Sequence, residues 1–438
     1  MLVSRRKRYL SGSDWIINTF DYLLKSTTSY GNVCQVVLQL SVPLPEQAIR
    51  ARLNEFVKKF PVLQGTITRD YKLAPYWKIP ASMQRDVHLN VTQLPDGSTP
   101  ELLLSQLVQN ANSPFLHNQE YIDFHLFLTG DRSTLAMRFD HRLFDGRGAE
   151  SFLDLFNKSL SDADSSGDIA FVSSADLTDW SSKFEAGRNV NRALIELSKL
   201  IPCSLSAQAK TGKGFKFRQL CFTKQETAAI YDTAYREAGY LMESPYFLAV
   251  IVHTLHELFL SRSDAGSCYL IPSTMDVRPG KDALQELFFN HVSYIFYQVP
   301  LEQADDLKGL IDLLKQQMYN QVKSRFPRDL AQASSLTRIL PLPLLGKLFN
   351  LPMHGKIATI AFSHLGKSSY QSNTFMDCPI ENFFHMPRVP LPPGLGFFSN
   401  LYEGQLNLVI SYIDGVISED ELNTLESGIR RKFGILPG

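Results

Sequence analysis

A chain of 438 residues is longer than one hydrophobic core usually supports, so two domains or lobes are expected. Lysines plus arginines number 44, as do aspartates plus glutamates, which leaves no net basic footprint for nucleic acid or an anionic membrane. Hydrophobic residues make up 44% and charged residues 20%, the balance of a soluble globular protein with material for large cores. The run Arg5-Arg6-Lys7-Arg8 is the one local exception and is expected as a solvated, frayed terminus; no apolar leader-like stretch follows it. Five cysteines, at 34, 203, 221, 268 and 378, have neither metal spacing nor a pairing pattern, which fits reduced thiols in a cytoplasmic protein.

In chain order, "NVCQVVLQLSV" alternates and is rich in valine, which predicts a strand. "PLPEQAIRARLNEFVKKFPVL" follows with Ile49, Leu53, Phe56, Val57 and Phe60 on one helical face. "TLAMRFDH" predicts another strand with Leu135, Met137 and Phe139 on one side. "GAESFLDLFNKSL" predicts a helix with Phe152, Leu153, Leu155 and Phe156 as its apolar stripe. Between the last two lies "FDHRLFDGRG", residues 139–148. The polar, small "SDADSSG" from Ser161 begins a linker that reaches the "AKTGKG" segment.

The second half opens on a capping box, Thr223 to Glu226, and closes on another, Ser418 to Glu421. "PYFLAVIVHTLHELFL" from Pro245 is broken by His253, His256 and Glu257, is shorter than a bilayer span, and predicts a buried helix. "CYLIPSTMDVRPG", "HVSYIFYQVPL", "KIATIAFSHLGK" and "LNLVISYIDGVIS" are strand-like. The apolar, proline-punctuated stretch 338–357 is a helical connection over the core, with an acyl-facing lid or a lipid-touching surface as the alternatives. Strands alternate with amphipathic helices in both halves. The expectation is therefore an α/β protein of two similar lobes: an N-terminal lobe over 1–180, a linker region over 181–215 and a C-terminal lobe over 216–438.

A histidine on a strand-to-helix connection has the right proton affinity for a general base, and an aspartate followed by glycine can anchor the loop. The spacing of His141 and Asp145 fits that chemistry, and equally fits a buried histidine beside an Asp-Gly turn. His253-x-x-His256-Glu257 is not in the order of a zinc-protease helix and reads as core, so no metal site is expected. "TGKGFKF" lacks the spacing and strand context of a phosphate loop; it reads as a solvated loop, with contact to the phosphates of coenzyme A or a phosphopantetheine arm as the alternative.

"HRLFDG" resembles the His-x-x-x-Asp-Gly signature of the chloramphenicol-acetyltransferase-like superfamily, which includes condensation domains, wax ester synthases, alcohol acetyltransferases and BAHD-type enzymes. "LNEFVKKFPVLQGTI", "DGRGAESFLDLF", "IPSTMDVRPG", "FFNHVSYIFYQVP" and "AFSHLGK" are similar to other segments of that group, in the same order along nearly the whole chain. The resemblance implies two lobes, each a mixed sheet with helices, and an active-site tunnel between them. It implies His141 as the general base, Asp145 as a structural residue turned away from the pocket and paired with an arginine, for which Arg278 is the candidate, and Gly146 as the residue permitting the close turn. Asn290 and Ser363 fall in tunnel-lining segments, where each has either a polar-pocket or oxyanion role or ordinary strand-end hydrogen bonding. One position departs: Asp140 stands where condensation domains and wax ester synthases have a first histidine, and it either orients the loop or contacts Arg142.

The function so implied is acyl transfer from acyl-CoA or an acyl-carrier protein to a hydroxyl or amine by direct attack, in secondary-metabolite or lipid biosynthesis. The phosphopantetheine-tethered acyl group is then substrate, no resident cofactor is expected, and the partners are a small-molecule acceptor and an acyl or peptidyl carrier protein. A monomer without transmembrane segments is expected. The alternatives are a non-catalytic module that binds a carrier protein, and an enzyme that cyclises or dehydrates a tethered substrate.

Overall fold

The computed structural model describes residues 7–28, 30–117, 119–159, 179–204, 214–262, 266–278, 287–351 and 355–435. Two six-stranded mixed sheets organise them. From edge to edge the first sheet runs Thr374–Phe375, Cys378–Met386, Val33–Leu40, Arg132–Asp140, Ile122–Thr129 and Leu89–Gln93. The second runs Val292–Pro300, Cys268–Asp276, Ala361–Lys367, Leu395–Tyr402, Gln405–Ile413 and Phe215–Cys221.

Alternation along Val33–Leu40 sorts its side chains between two cores. Val36, Leu38 and Leu40 enter the core beneath the helices Glu46–Val57 and Gly146–Lys158, while Val37 enters the core shared with the second sheet. The helical faces read from periodicity are the buried ones: Ile49, Leu53, Phe56, Val57 and Phe60 all lie in the first core. There Phe56 meets Phe152 edge to face at 5.2 Å, which fastens one helix to the other. Both capping boxes form, before Lys224–Ala238 and before Glu419–Lys432. The helix Glu243–Ser261 is buried along most of its length, and among the described residues no helix is long and apolar enough to cross a membrane.

Three expectations change. The basic run is not wholly frayed: Lys7–Tyr9 pairs with Pro75–Lys78, and Arg8 donates to the buried Asp14 at 2.9 Å. Of the 181–215 stretch, the part to Leu197 belongs to a helix, Trp180–Leu197, whose Ala186 and Val190 pack with Phe326 and Ala333; "SDADSSG" and residues 205–213, which include most of "AKTGKG", lie outside the described residues. The two sheets are not drawn from two halves of the sequence either. Cys378–Met386 pairs antiparallel with Val33–Leu40, so a strand from the 216–438 range completes the first sheet.

The stretch from Arg338 forms the helix Leu342–Asn350, which lies on the helix Gly12–Thr28 with Phe20 and Phe349 rings 6.1 Å apart. It is a helical connection, with Leu344 and Leu348 on its outer side.

Candidate active site

The motif strand Arg132–Asp140 ends at the junction of the two sheets, and the motif helix starts at Gly146. Five residues therefore turn the chain, and each end of the turn is tied. Asp145 is the helix N-cap: its Oδ1 accepts from the Gly148 N–H at 2.9 Å. Its Oδ2 accepts from the His291 N–H at 2.9 Å, and the Arg278 guanidinium pairs with Oδ1. Burial by itself would raise this carboxyl; the Arg278 charge and the two backbone donors outweigh it and hold Asp145 below the usual carboxylate range. The expected Asp145–Arg278 pair is present. Asp145 nevertheless belongs to the cavity wall, with both of its oxygens engaged in these bonds.

His141 is held by one residue twice. Asn290 Nδ2 donates to the His141 carbonyl at 3.0 Å, and Asn290 Oδ1 lies 3.0 Å from His141 Nδ1. A carbonyl oxygen only accepts, so the amide nitrogen must face it and the amide oxygen must face the ring. Nδ1 therefore carries the proton, and Nε2 is left with its lone pair. Asn290 is held in turn by Asp14 of the helix Gly12–Thr28, whose Oδ1 accepts the Asn290 N–H at 3.0 Å. Next to it, Phe289 donates its N–H to the Leu143 carbonyl at 2.6 Å, with φ at +76°. A non-glycine residue in that left-handed region costs on the order of 1 kcal/mol, which the latch between the two loops offsets.

The cavity beside His141 lies between the sheets and encloses about 700 Å³ including its open mouth. Gln35, Phe139 and His385 line it from the first sheet; Thr274, Ser363 and Ser399 line it from the second. Ser363 Oγ and Thr274 Oγ1 share a hydrogen bond of 2.6 Å, so one hydroxyl proton of the pair stays free for another acceptor. Asn290 is not among the lining residues; its amide works behind His141.

Asp140 does both of the things its position suggested. It is buried, and its Oδ1 accepts from the Arg142 backbone N–H and from Arg142 Nε, both at 2.9 Å. Burial raises the Asp140 carboxyl, but the Arg142 charge and hydrogen bonds bring it below its ordinary value. Arg142 also reaches Asp21 at 3.4 Å.

Gly146 acts by closeness rather than by a left-handed backbone. A Cβ there would meet Leu365 Cδ1 at 3.2 Å and His385 Cε1 at 3.8 Å, at the cavity wall. Gly148 is the tighter position, since a Cβ would stand 2.4 Å from the Leu287 carbonyl oxygen.

Sequence reasoning passed over Asp14, Gly148, Glu150 and His385. Of these only Gly148 carried a local signal, as the second glycine of "DGRG". Two other groups near the site are quiet. Burial, with the Arg147 charge, pushes His364 down to about 4 and keeps it neutral, and burial pushes the cavity-lining Cys34 thiol up to about 12 and keeps it protonated.

No protein-family model matches the sequence. No curated protein matches it either. Solved structures do. The chain is similar to the TRI3 trichothecene 15-O-acetyltransferase from Fusarium sporotrichioides at 13% identity and a TM-score of 0.69, over 98% of this chain and 94% of that one. It is similar to the first condensation domain of the CDA synthetase at 14% identity and a TM-score of 0.68, over 98% and 95% of the two chains. The epimerization domain from the third module of tyrocidine synthetase B matches at 14% identity and a TM-score of 0.61, over 98% and 96%. These likenesses establish the fold: the chain has the two-lobed fold of these acetyltransferase and condensation domains. Acetyl transfer, condensation and epimerization all occur on it, so the fold does not choose the reaction.

Proposed function

We propose that the protein is an acyltransferase that moves an acyl group from a thioester donor, acyl-CoA or an acyl-carrier protein, to a hydroxyl or amine acceptor, with His141 as general base. The observation that carries the reading is the Asn290 clamp, which puts the proton on Nδ1 of His141 and leaves Nε2 as a base beside a cavity between the two sheets. The acceptor's proton passes to Nε2 as its oxygen or nitrogen attacks the thioester carbon. The oxyanion that forms takes a hydrogen bond from the Ser363–Thr274 hydroxyl pair. Direct attack is favoured over an acyl-enzyme: Cys34 stays a thiol, and Ser363 bonds to Thr274 rather than to a histidine. Asp145 and Arg278 tie the motif loop to the second sheet and so keep the base in place.

The test is a mass-spectrometric screen of acetyl-CoA, longer acyl-CoA and acyl-carrier donors against hydroxyl and amine acceptors, with wild type and His141→Ala side by side. Loss of about 10²–10⁴ in transfer rate at an unchanged melting temperature is expected for His141→Ala. Full transfer by that variant overturns the mechanism. Carrier-protein capture without turnover by wild type would instead mark a binding module, and a product lighter than its tethered precursor by one water a dehydrating or cyclising enzyme.

A further inference from the structure

Acyl transfer has two proton problems. The acceptor must lose a proton, and the thiolate that leaves must gain one. His141 meets the first, and a second histidine lines the same cavity: His385, at the end of the strand that crosses into the first sheet.

The ring of His385 is set by a carboxylate rather than by an amide. Its Nε2 lies 2.8 Å from Glu150 Oε1 on the motif helix. Glu150 is fully buried, and its Oε2 accepts from the Ser369 N–H at 2.7 Å, from Ser369 Oγ at 2.8 Å and from Arg147 Nη1 at 3.3 Å. Burial alone would raise this carboxyl, but the hydrogen bond from His385 and its charge when protonated, then the Arg147 charge and the Ser369 N–H, bring it down to about 2, so it is an anion near neutral pH. An anion only accepts; Nε2 therefore carries the hydrogen, and Nδ1 is the atom left for a substrate. Nδ1 makes no hydrogen bond among the described residues, and the adjoining Cε1 is 3.8 Å from where a Cβ on Gly146 would stand. A buried carboxylate behind an imidazole orients the ring and stabilises it when it carries a second proton. Of the two cavity histidines, only His385 has that support; the partner of His141 is a neutral amide.

We infer that His385 is a second catalytic residue, the general acid that protonates the leaving thiolate, an inference that rests on the acyl-transfer reading. In the reactive state His141 is neutral and His385 carries protons on both nitrogens. The acceptor's oxygen or nitrogen bonds to the acyl carbon and gives its proton to His141 Nε2. When the tetrahedral intermediate collapses, the carbon–sulfur bond breaks, sulfur keeps the electron pair and takes the proton from His385 Nδ1. One proton then returns from His141 to His385 through water, and both rings are reset. Glu150 acts through His385 and is a positioning residue.

The test varies the leaving group. Thiol release is measured from S-acetyl-N-acetylcysteamine, whose alkyl thiolate needs a proton, and from S-phenyl thioacetate, whose aryl thiolate leaves without one. The acceptor is one that wild type acylates. His385→Gln is expected to slow release from the alkyl donor about 100-fold and from the aryl donor less than about 5-fold. Glu150→Gln gives the same selective loss at smaller size, and His141→Ala loses both donors alike. The ratio of the two donors is read within one preparation, so an unfolded fraction cancels. An equal loss with both donors in His385→Gln, or no loss, overturns the inference while the His141 result stands. If wild type acylates no acceptor, the acyl-transfer reading falls first and this inference with it.

Discussion

One amide fixes both the ring and the carbonyl of His141, so in the proposed mechanism Asn290 is what directs the base. Asn290→Ala keeps the fold but frees the tautomer, and kcat is expected to fall on the order of 10²-fold with little change in KM; steady-state kinetics with the pair found by the screen checks this. Asp145→Ala acts differently, since it removes the buried carboxylate that pairs with the half-buried Arg278, which keeps its contact with Asp276, and it removes the helix cap. A loss of about 1–3 kcal/mol in denaturant unfolding is expected, from the lost cap and the backbone donors left unpaired. Glu150 gives a pH signature. Its folded value, about 2, lies below the ordinary 4.5, so its contribution is present above pH 4.5 and is lost as pH falls toward 2. The amount is on the order of 3 kcal/mol. Glu150→Gln should therefore flatten the decline of unfolding free energy across that window; an unchanged slope would show that the carboxylate is not held as described.

Among the elements, the motif loop and residues 287–291 behave as one latched pair. Phe289 and His291 donate across it, and the absence of a Cβ at Gly148 lets the Leu287 carbonyl approach. Gly148→Ala must push backbone away and is expected to cost about 1–3 kcal/mol and to loosen the Asn290 clamp. Gly146→Ala is tight against the end of the Leu365 side chain and otherwise makes ordinary contact with His385, so it should melt closer to wild type. Thermal unfolding of both variants ranks them, and the reverse order would refute this account of the latch. Elements with strong periodicity or caps were legible: the buried face of Glu46–Val57, the strand and helix flanking the motif, and both capping boxes. The helix Gly12–Thr28 carries no comparable signal. Its buried residues include Asp14, Asn18, Thr19 and Asp21, polar groups that blur an apolar stripe.

For the whole molecule, the decisive feature is the strand Cys378–Met386, which leaves the sequence neighbourhood of the second sheet to complete the first. It carries His385 to the motif helix and covers the edge of Val33–Leu40. A chain ended after residue 204 lacks that strand and bares a long apolar edge. It is expected to give no cooperative thermal transition by circular dichroism, although it keeps the whole His141 motif. Cooperative melting of that fragment would show that the first sheet is stable without its borrowed strand.

The α/β class, the main periodic elements and the motif were readable from the residues, because each rests on local chemistry or on a pattern read in order; Arg278 as the partner of Asp145 came only as a candidate from the resemblance, and the structure shows the pair. Tertiary structure alone decided that Asn290 stands behind His141 and not in the cavity, and that Glu150 and His385 meet from positions 235 residues apart. Nothing within a helical or strand period relates residues so far apart; the meeting of the two sheets brings Asn290 to His141, and the strand that crosses between them brings His385 to Glu150.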